Sequence, residues 1–387
     1  MTITDHSTES TSRRSFAARI YGYCLVGLLA LASIAGMNAI IFAPNTEAGE
    51  KLTDENRDRS TMPPLPGTAS EWVSFPRRFE TFVNDNFGLR DALIRTSSIL
   101  STTMLGRLPT DQVIAGTGGW LFFTGDRSLE LFQRTFSFAP ATLDQWSAQL
   151  AERKRALEAR GIPYIFTLAP DKHTVYGEFM PRHLRRSNAP SQHDQLMTVA
   201  LRQNLSVVDL RQDLLRAKKN DILYLRDDTH WNDRGGVVAY NTLMSYLDLH
   251  PIAVDNDAFA LRNRKESDLA RMALMSRVEN APALRREALP CHDTIKENVP
   301  DHFVMGMVTR THCESRKGKL LFLHDSFGIA LLPLLAASFG EVIAIGTYPS
   351  TEVFLATVEA EQPDFVIEER VERYLQYPPA SVGKGFP

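Results

Sequence analysis

The most strongly patterned part of the chain comes early. Ile20 to Ala43 (IYGYCLVGLLALASIAGMNAIIFA) holds no charged residue and is long enough to cross a hydrocarbon layer. A polar stretch follows and closes on MPPLPG, which reads as a linker over 44–70 with a semi-rigid proline end. In EWVSFPRRFETFVNDNFGLRDALIR, Phe75, Phe79, Phe82 and Val83 fall on one helical face. That helix either lies on an interface or packs on its own domain. VIAGTGGWLFF has two apolar runs about Gly118 and Gly119, the pattern of a hairpin. Beyond it the periods alternate. A helix over Thr142 to Arg160, stopped by Gly161, leads to PYIFTLAP, and a helix from Ser191 to Gln203 leads to SVVDL. KLLFLHDSFG, EVIAIGTYP and PDFVIEE come later, separated by helical material. Short apolar runs between helices predict an α/β fold with a mostly parallel sheet covered on both faces. The stretch from Asp255 to Pro300 is charge-rich and weak in strand signal. It reads as an insertion or lid-like region with one helix beginning near Ser267.

Charge and composition refine this picture only in places. With 387 residues and 43% hydrophobic content the chain can bury a full core. A net charge of -3 without a basic stripe argues against a nucleic-acid partner. Arg13, Arg14 and Arg19 precede the apolar run, so the positive-inside rule keeps residues 1–19 in the cytoplasm and sends the rest across the membrane. The run exceeds a typical signal-peptide core, which favours an uncleaved anchor at 20–43 over a cleaved leader. SRRSF also matches a twin-arginine export pattern in outline. Of the three cysteines, Cys24 lies in the apolar run, and Cys291 and Cys313 either pair across a loop or stay as two small residues.

The candidate chemistry sits where apolar runs stop. In parallel sheets ligands gather at the carboxyl ends of strands, and LFLHDSFG places Ser326 at such an end. The serine is either a nucleophile or a helix N-cap. A nucleophilic serine needs a base, and LRDDTHWNDRGG offers His230 with Asp228 two residues before it. In an extended segment those side chains share a side, so Asp228 can fix the imidazole tautomer while the other ring nitrogen faces Ser326. An Asp-x-His pair also suits a metal, but no second cluster at ligand spacing supports that, and neither a metal nor another cofactor is expected. Lys172 in LAPDKHTVY ends another strand, where it either meets an acidic sugar or the oxyanion, or forms a loop-shaping salt bridge. Tyr348 in IGTYPS either stacks on a sugar or packs.

The ordered segments ENRDRSTMPPLP, FETFVNDNFGLRDALI, GWLFF, LAPDKHTVY, DDTHWN, HDSFG and PDFVIEERVERYL resemble the periplasmic alginate O-acetyltransferase family of the AlgJ and AlgX type. The resemblance runs from about Glu55 to Leu375. It implies an SGNH hydrolase-like three-layer domain, over 71–387, in which Asp228 and His230 supply acid and base and Ser326 the nucleophile. That order reverses the usual serine-first arrangement of SGNH hydrolases. It further implies a polysaccharide acceptor, a multi-pass membrane acyltransferase that delivers the acetyl group, and a catalytic domain held in the periplasm by an inner-membrane helix. His324 stands where relatives often carry a small or amide residue. The chain also ends at Pro387 without an appended carbohydrate-binding domain, like the membrane-anchored single-domain members. An acetyl esterase of the same fold and a non-catalytic polysaccharide-binding subunit are the rival readings.

Overall fold

The computed structural model describes residues 60–86, 110–265, 267–291 and 308–377, with short further pieces at 51–52, 57–58, 96, 108 and 296–298. The apolar run at 20–43 lies outside the described residues. Among those described, no helix is long and apolar enough to cross a membrane.

The chain divides into two compact units, residues 1–109 and 110–387, so the aromatic helix expected at the head of the large domain groups instead with the N-terminal unit. This helix, α1 (Ala69–Asn86), starts where the Glu71 carboxylate accepts the Gly67 and Thr68 amides at 2.7 and 3.3 Å. Phe75, Phe79 and Phe82 form the expected row, with successive ring centroids 5.9 and 6.4 Å apart.

The second unit opens with the predicted hairpin, β1 (Val113–Ala115) against β2 (Leu121–Phe123), turned through Gly118 and Gly119 at positive φ. Helices α2 (Ser128–Gln133) and α3 (Pro140–Glu158) follow. Gly161, at φ +69°, ends α3 by donating to the Glu158 carbonyl, and strand β3 (Tyr164–Ala169) begins. Next come α4 (Lys172–Val175), α5 (Gln192–Arg202), β4 (Val207–Asp209), α6 (Arg211–Ala217) and α7 (Asp233–Tyr246). Ser191 and Asp194 close a reciprocal capping box on α5, at 3.1 and 3.0 Å.

The region read as strand-poor departs from expectation. It holds an antiparallel ribbon of β5 (Phe259–Lys265) and β6 (Val278–Leu284), seven residues each, with the short helix α8 (Asp268–Met272) at its turn. The exposed Arg262, Asn263 and Arg264 hide the ribbon from a hydrophobicity reading, because cross-strand pairing rather than burial holds them extended. Beyond it lie β7 (Lys296–Asn298), β8 (Val308–His312), β9 (Lys319–Leu323), α9 (Leu332–Ser338), β10 (Glu341–Ile345), α10 (Thr351–Glu361) and β11 (Phe365–Val371). Cys291 and Cys313 are disulfide-bonded, Cα to Cα 5.6 Å, tying the ribbon's exit to the end of β8.

The main sheet has the order β4-β3-β11-β9-β10-β8-β7. Its first five strands are parallel, β8 runs antiparallel to β10, and β7 pairs antiparallel with β8. Alternate residues feed two cores. Ile165, Phe322, Ala344 and Ile367 pack beneath α6, α7 and α9, while Phe166, Leu321, Ile343 and Val366 pack beneath α3, α5 and α10. Burial on both faces is why these strands read as unbroken apolar runs. Trp146 of α3 is fully buried, and removing such a side chain costs about 3–5 kcal/mol. One charged cluster in this core joins Arg153 to Glu368 at 2.6 Å and Arg370 to the same carboxylate at 2.8 Å.

Candidate active site

Leu223 to Asn232 forms a tight loop closed by a bridge between Tyr224 and Trp231. Leu225 donates to the His230 carbonyl at 3.1 Å, and Asn232 donates to that of Leu223 at 2.8 Å. The Asn232 side chain then caps α7, accepting the amides of Arg234 and Gly235 at 3.0 and 3.2 Å. Inside the loop the backbone bends rather than extends. The Asp228 carboxylate closes the bend by accepting the His230 backbone amide at 3.1 Å, and its same oxygen lies 2.6 Å from His230 Nδ1. Asp228 and His230 therefore meet as the sequence suggests, through an Asx-type turn in place of strand alternation.

Ser326 follows β9 in a turn of 3₁₀ helix, Ser326–Ala330. Asp325, not the serine, caps this turn, accepting the Phe327 amide at 2.8 Å. The serine hydroxyl is thereby left for His230, with Nε2 to Oγ at 2.8 Å. The remaining letters of HDSFG also have reasons. A Cβ on Gly328 would stand 2.4 Å from that of His324, so only glycine fits there. His324 is buried, stacks on Phe322 at 4.8 Å and places Nδ1 2.6 Å from the Asp325 carbonyl. Ser326 is exposed while Asp325, Phe327 and Gly328 on either side are buried.

The electrostatics of the three groups suit a relay. Burial disfavours the His230 imidazolium, but the hydrogen bond and charge of Asp228, with added charge from Asp268, raise its pKa above the ordinary value. Burial opposes ionisation of Asp228 in turn, yet the His230 hydrogen bond and charge hold that carboxyl well below its usual range. Asp228, His230 and Asp268 each bring a potential metal-ligand atom within 4.8 Å of the others. Those atoms are already spent on the Ser326 relay and on the Thr229 and Asp268 amides, so the cluster reads as a proton relay rather than a cation site.

A cavity of about 510 Å³ opens at Ser326 and His230. Its far wall is the ribbon, which brings Arg262, Arg264 and, just beyond β6, Arg286 to the groove. These arginines and Asp268 were missed by reasoning from sequence. Alternating basic residues in ALRNRK were the available signal for the wall. Asp268, one residue after the cap position Ser267, is indistinguishable from an ordinary acidic first-turn residue.

Lys172 and Tyr348 take places other than the groove. Lys172 is 3% exposed, and its Nζ donates to the carbonyls of Leu225, Arg226 and Asp228 at 3.1, 3.0 and 2.6 Å. Burial lowers its pKa to about 8, against the opposing charges of Asp268 and Asp228. Among the described residues it makes no salt bridge, and its buried ammonium braces the His230 loop from within. Tyr348 is 1% exposed and donates to the Asp325 carboxylate at 2.7 Å, so it supports the serine turn from behind instead of stacking on a ligand.

Parts of the chain are similar to known proteins. Residues 113–302 match the family model described as the SGNH hydrolase-like domain of acetyltransferase AlgX. That stretch holds Asp228 and His230 and ends before Ser326. The probable alginate O-acetylase AlgJ of Pseudomonas aeruginosa is 28% identical over 162 residues, which cover 40% of this chain and 38% of that protein. Its counterpart in Pseudomonas putida is 28% identical over 131 residues, 34% of this chain and 32% of that protein. The chain thus aligns with about a third of the length of each. The solved O-acetyltransferase domain of Pseudomonas putida AlgJ is 19% identical, with 68% of this chain and 92% of that one covered and a TM-score of 0.44. Residues 113–302 of the chain are thus similar to the SGNH hydrolase-like domain of the acetyltransferase AlgX.

Proposed function

We propose that this protein is an O-acetyltransferase that passes an acetyl group through Ser326 onto hydroxyls of an acidic polysaccharide. The observation that carries this reading is the unbroken line of hydrogen bonds from Asp228 through His230 to an exposed Ser326 Oγ, beside a groove walled by three arginines. His230 Nε2 takes the Ser326 proton as Oγ attacks the acetyl carbonyl of the donor. The tetrahedral oxyanion meets the Ser326 amide, which has no acceptor among the described residues, and collapse releases the donor's oxygen, protonated by His230. A sugar hydroxyl then repeats the cycle on the acyl-serine, with His230 again as base and Ser326 restored. Asp228 holds the imidazole in the tautomer this needs. Arg262, Arg264 and Arg286 give a carboxylated sugar a place to bind beside the serine, which supports an acidic acceptor.

In this reading the apolar run at 20–43 anchors the chain in the inner membrane with the catalytic unit in the periplasm, and a multi-pass membrane acyltransferase supplies the acetyl group. An esterase is the second reading, favoured by the openness of the serine to water. The test offers the full chain a chromogenic acetyl ester, with and without uronate oligosaccharides, and follows acetylated sugar and free acetate by mass spectrometry. Sugar acetylation that vanishes in Ser326→Ala supports the transferase. Acetate release unaffected by any acceptor supports the esterase, and turnover by Ser326→Ala equal to the parent protein removes the serine mechanism altogether.

A further inference from the structure

The ribbon insertion does more than wall the groove, because its short helix α8 grips the loop that carries the base. Asp268 Oδ1 accepts the Thr229 amide at 2.8 Å, and Oδ2 accepts the Thr229 hydroxyl. The backbone amide of Asp268 donates to the outer oxygen of Asp228 at 3.3 Å, and that of Ala270 donates to the Asp227 carbonyl at 3.0 Å. The Thr229 hydroxyl lies 3.2 Å from His230 Nδ1, and Asp268 Oδ2 lies 3.8 Å from the same nitrogen. Two carboxylates thus stand behind one imidazole, one bonded to it directly and one through the intervening threonine.

We infer that Asp268 is a positioning residue for this site, a second carboxylate that holds the Asp228–Thr229–His230 loop and helps stabilise the imidazolium formed when Ser326 gives up its proton. The inference rests on the serine mechanism proposed above. Asp228 lies on the same loop as His230, so its bond to the imidazole does not by itself tie Thr229 to another element. The Asp268 clamp ties the residue between acid and base to a separate element, which fixes both side chains relative to Ser326. The charged groups about the ring are Asp228 and Asp268 on the Nδ1 side and Arg373 at longer range, with Lys172 beneath the loop and Asp233, Arg262, Arg264 and Arg286 around the groove. Asp268 is the member of this set that adds negative charge at Nδ1 without replacing the Asp228 bond.

The test compares the full chain with Asp268→Asn, Thr229→Val and Ser326→Ala, measuring release of a chromogenic acetyl ester across the neutral pH range. Asp268→Asn is expected to lower kcat about 10–100-fold. It should also move the acid limb of kcat/KM to lower pH, because an imidazole with less negative charge beside it loses its proton more readily. Thr229→Val should lower kcat and leave the limb where it is, since no charge is lost. A purely structural aspartate would cost melting temperature and leave the limb unmoved, so an unmoved limb in a folded Asp268→Asn overturns the inference. If Asp268→Asn does not fold, an unchanged kcat in Thr229→Val overturns it instead. Parent-level turnover by Ser326→Ala would sink the underlying mechanism, a result separate from either of these.

Discussion

Trp231 donates its indole N–H to the carbonyl of Phe327 at 3.0 Å, with the two rings 5.4 Å apart and nearly perpendicular. Trp231 follows the candidate base and Phe327 follows the candidate nucleophile, so this one bond joins two loops 96 residues apart in the chain. Trp231→Phe keeps an aromatic ring and deletes the donor, leaving a buried carbonyl unpaired at a cost of about 1–3 kcal/mol. Chemical denaturation should register that loss, and kcat should fall with it as Ser326 and His230 lose their common reference. Full kcat in a destabilised variant would mean that the bond serves the fold alone.

The His230 pKa sets the pH profile. A general base must be unprotonated, so kcat/KM for ester turnover should decline as pH falls, with its midpoint above the ordinary imidazole value of about 6.5. Asp228→Asn removes the hydrogen bond and charge that raise this pKa. The midpoint should move downward while kcat drops by about 10⁴-fold through loss of the correct tautomer. A midpoint unchanged by Asp228→Asn would disconnect the pair.

Behind Ser326, Glu369 is wholly buried on β11 and accepts the Asp325 amide at 3.3 Å. Burial, and then the neighbouring charge of Asp325, push its pKa well above the usual carboxyl range. A carboxyl whose folded pKa exceeds its unfolded value contributes stability that is complete in acid and lost as pH rises through the folded value. Glu369→Gln mimics the neutral acid and cannot ionise. Its melting temperature should fall less than the parent's as pH rises above the ordinary carboxyl value of about 4.3, and an equal fall in both would show that Glu369 is not the group concerned.

The Cys291–Cys313 bond closes a loop of 22 residues between the ribbon and the sheet. Replacing both cysteines by serine should lower unfolding stability by about 2–4 kcal/mol. Addition of a thiol reductant to the parent protein should reproduce the loss. Indifference to both treatments would show that the ribbon is held by its pairing alone.

The parallel sheet was legible because its strands are buried on both faces, so Tyr164–Ala169 and Lys319–Leu323 stand out as apolar runs between amphipathic helices. The Asp228–His230 pair was legible for a different reason: its two members are local, and the turn that joins them is made by Asp228 itself. Lys172 shows where this kind of reading stops. Its partners are backbone carbonyls more than fifty residues away, and a carbonyl leaves no mark in a sequence. Tyr348 is hidden likewise by its bond to Asp325, 23 residues earlier, and the arginine wall by a ribbon whose strands are extended through pairing.

The place of β11 has a consequence for the order in which the molecule can become active. This strand lies between β3 and β9 near the middle of the sheet, and its Val371 amide donates to the Asp325 carboxylate at 2.7 Å. It is also the last of the described strands in chain order. A nascent chain that already contains Asp228, His230 and Ser326 still lacks the partner that seats the serine turn, and β3 and β9 have a gap between them. On the proposed serine mechanism the relay is therefore complete only once β11 has emerged and inserted between β3 and β9. Chains truncated ahead of Phe365 should be inert however long they are given to fold.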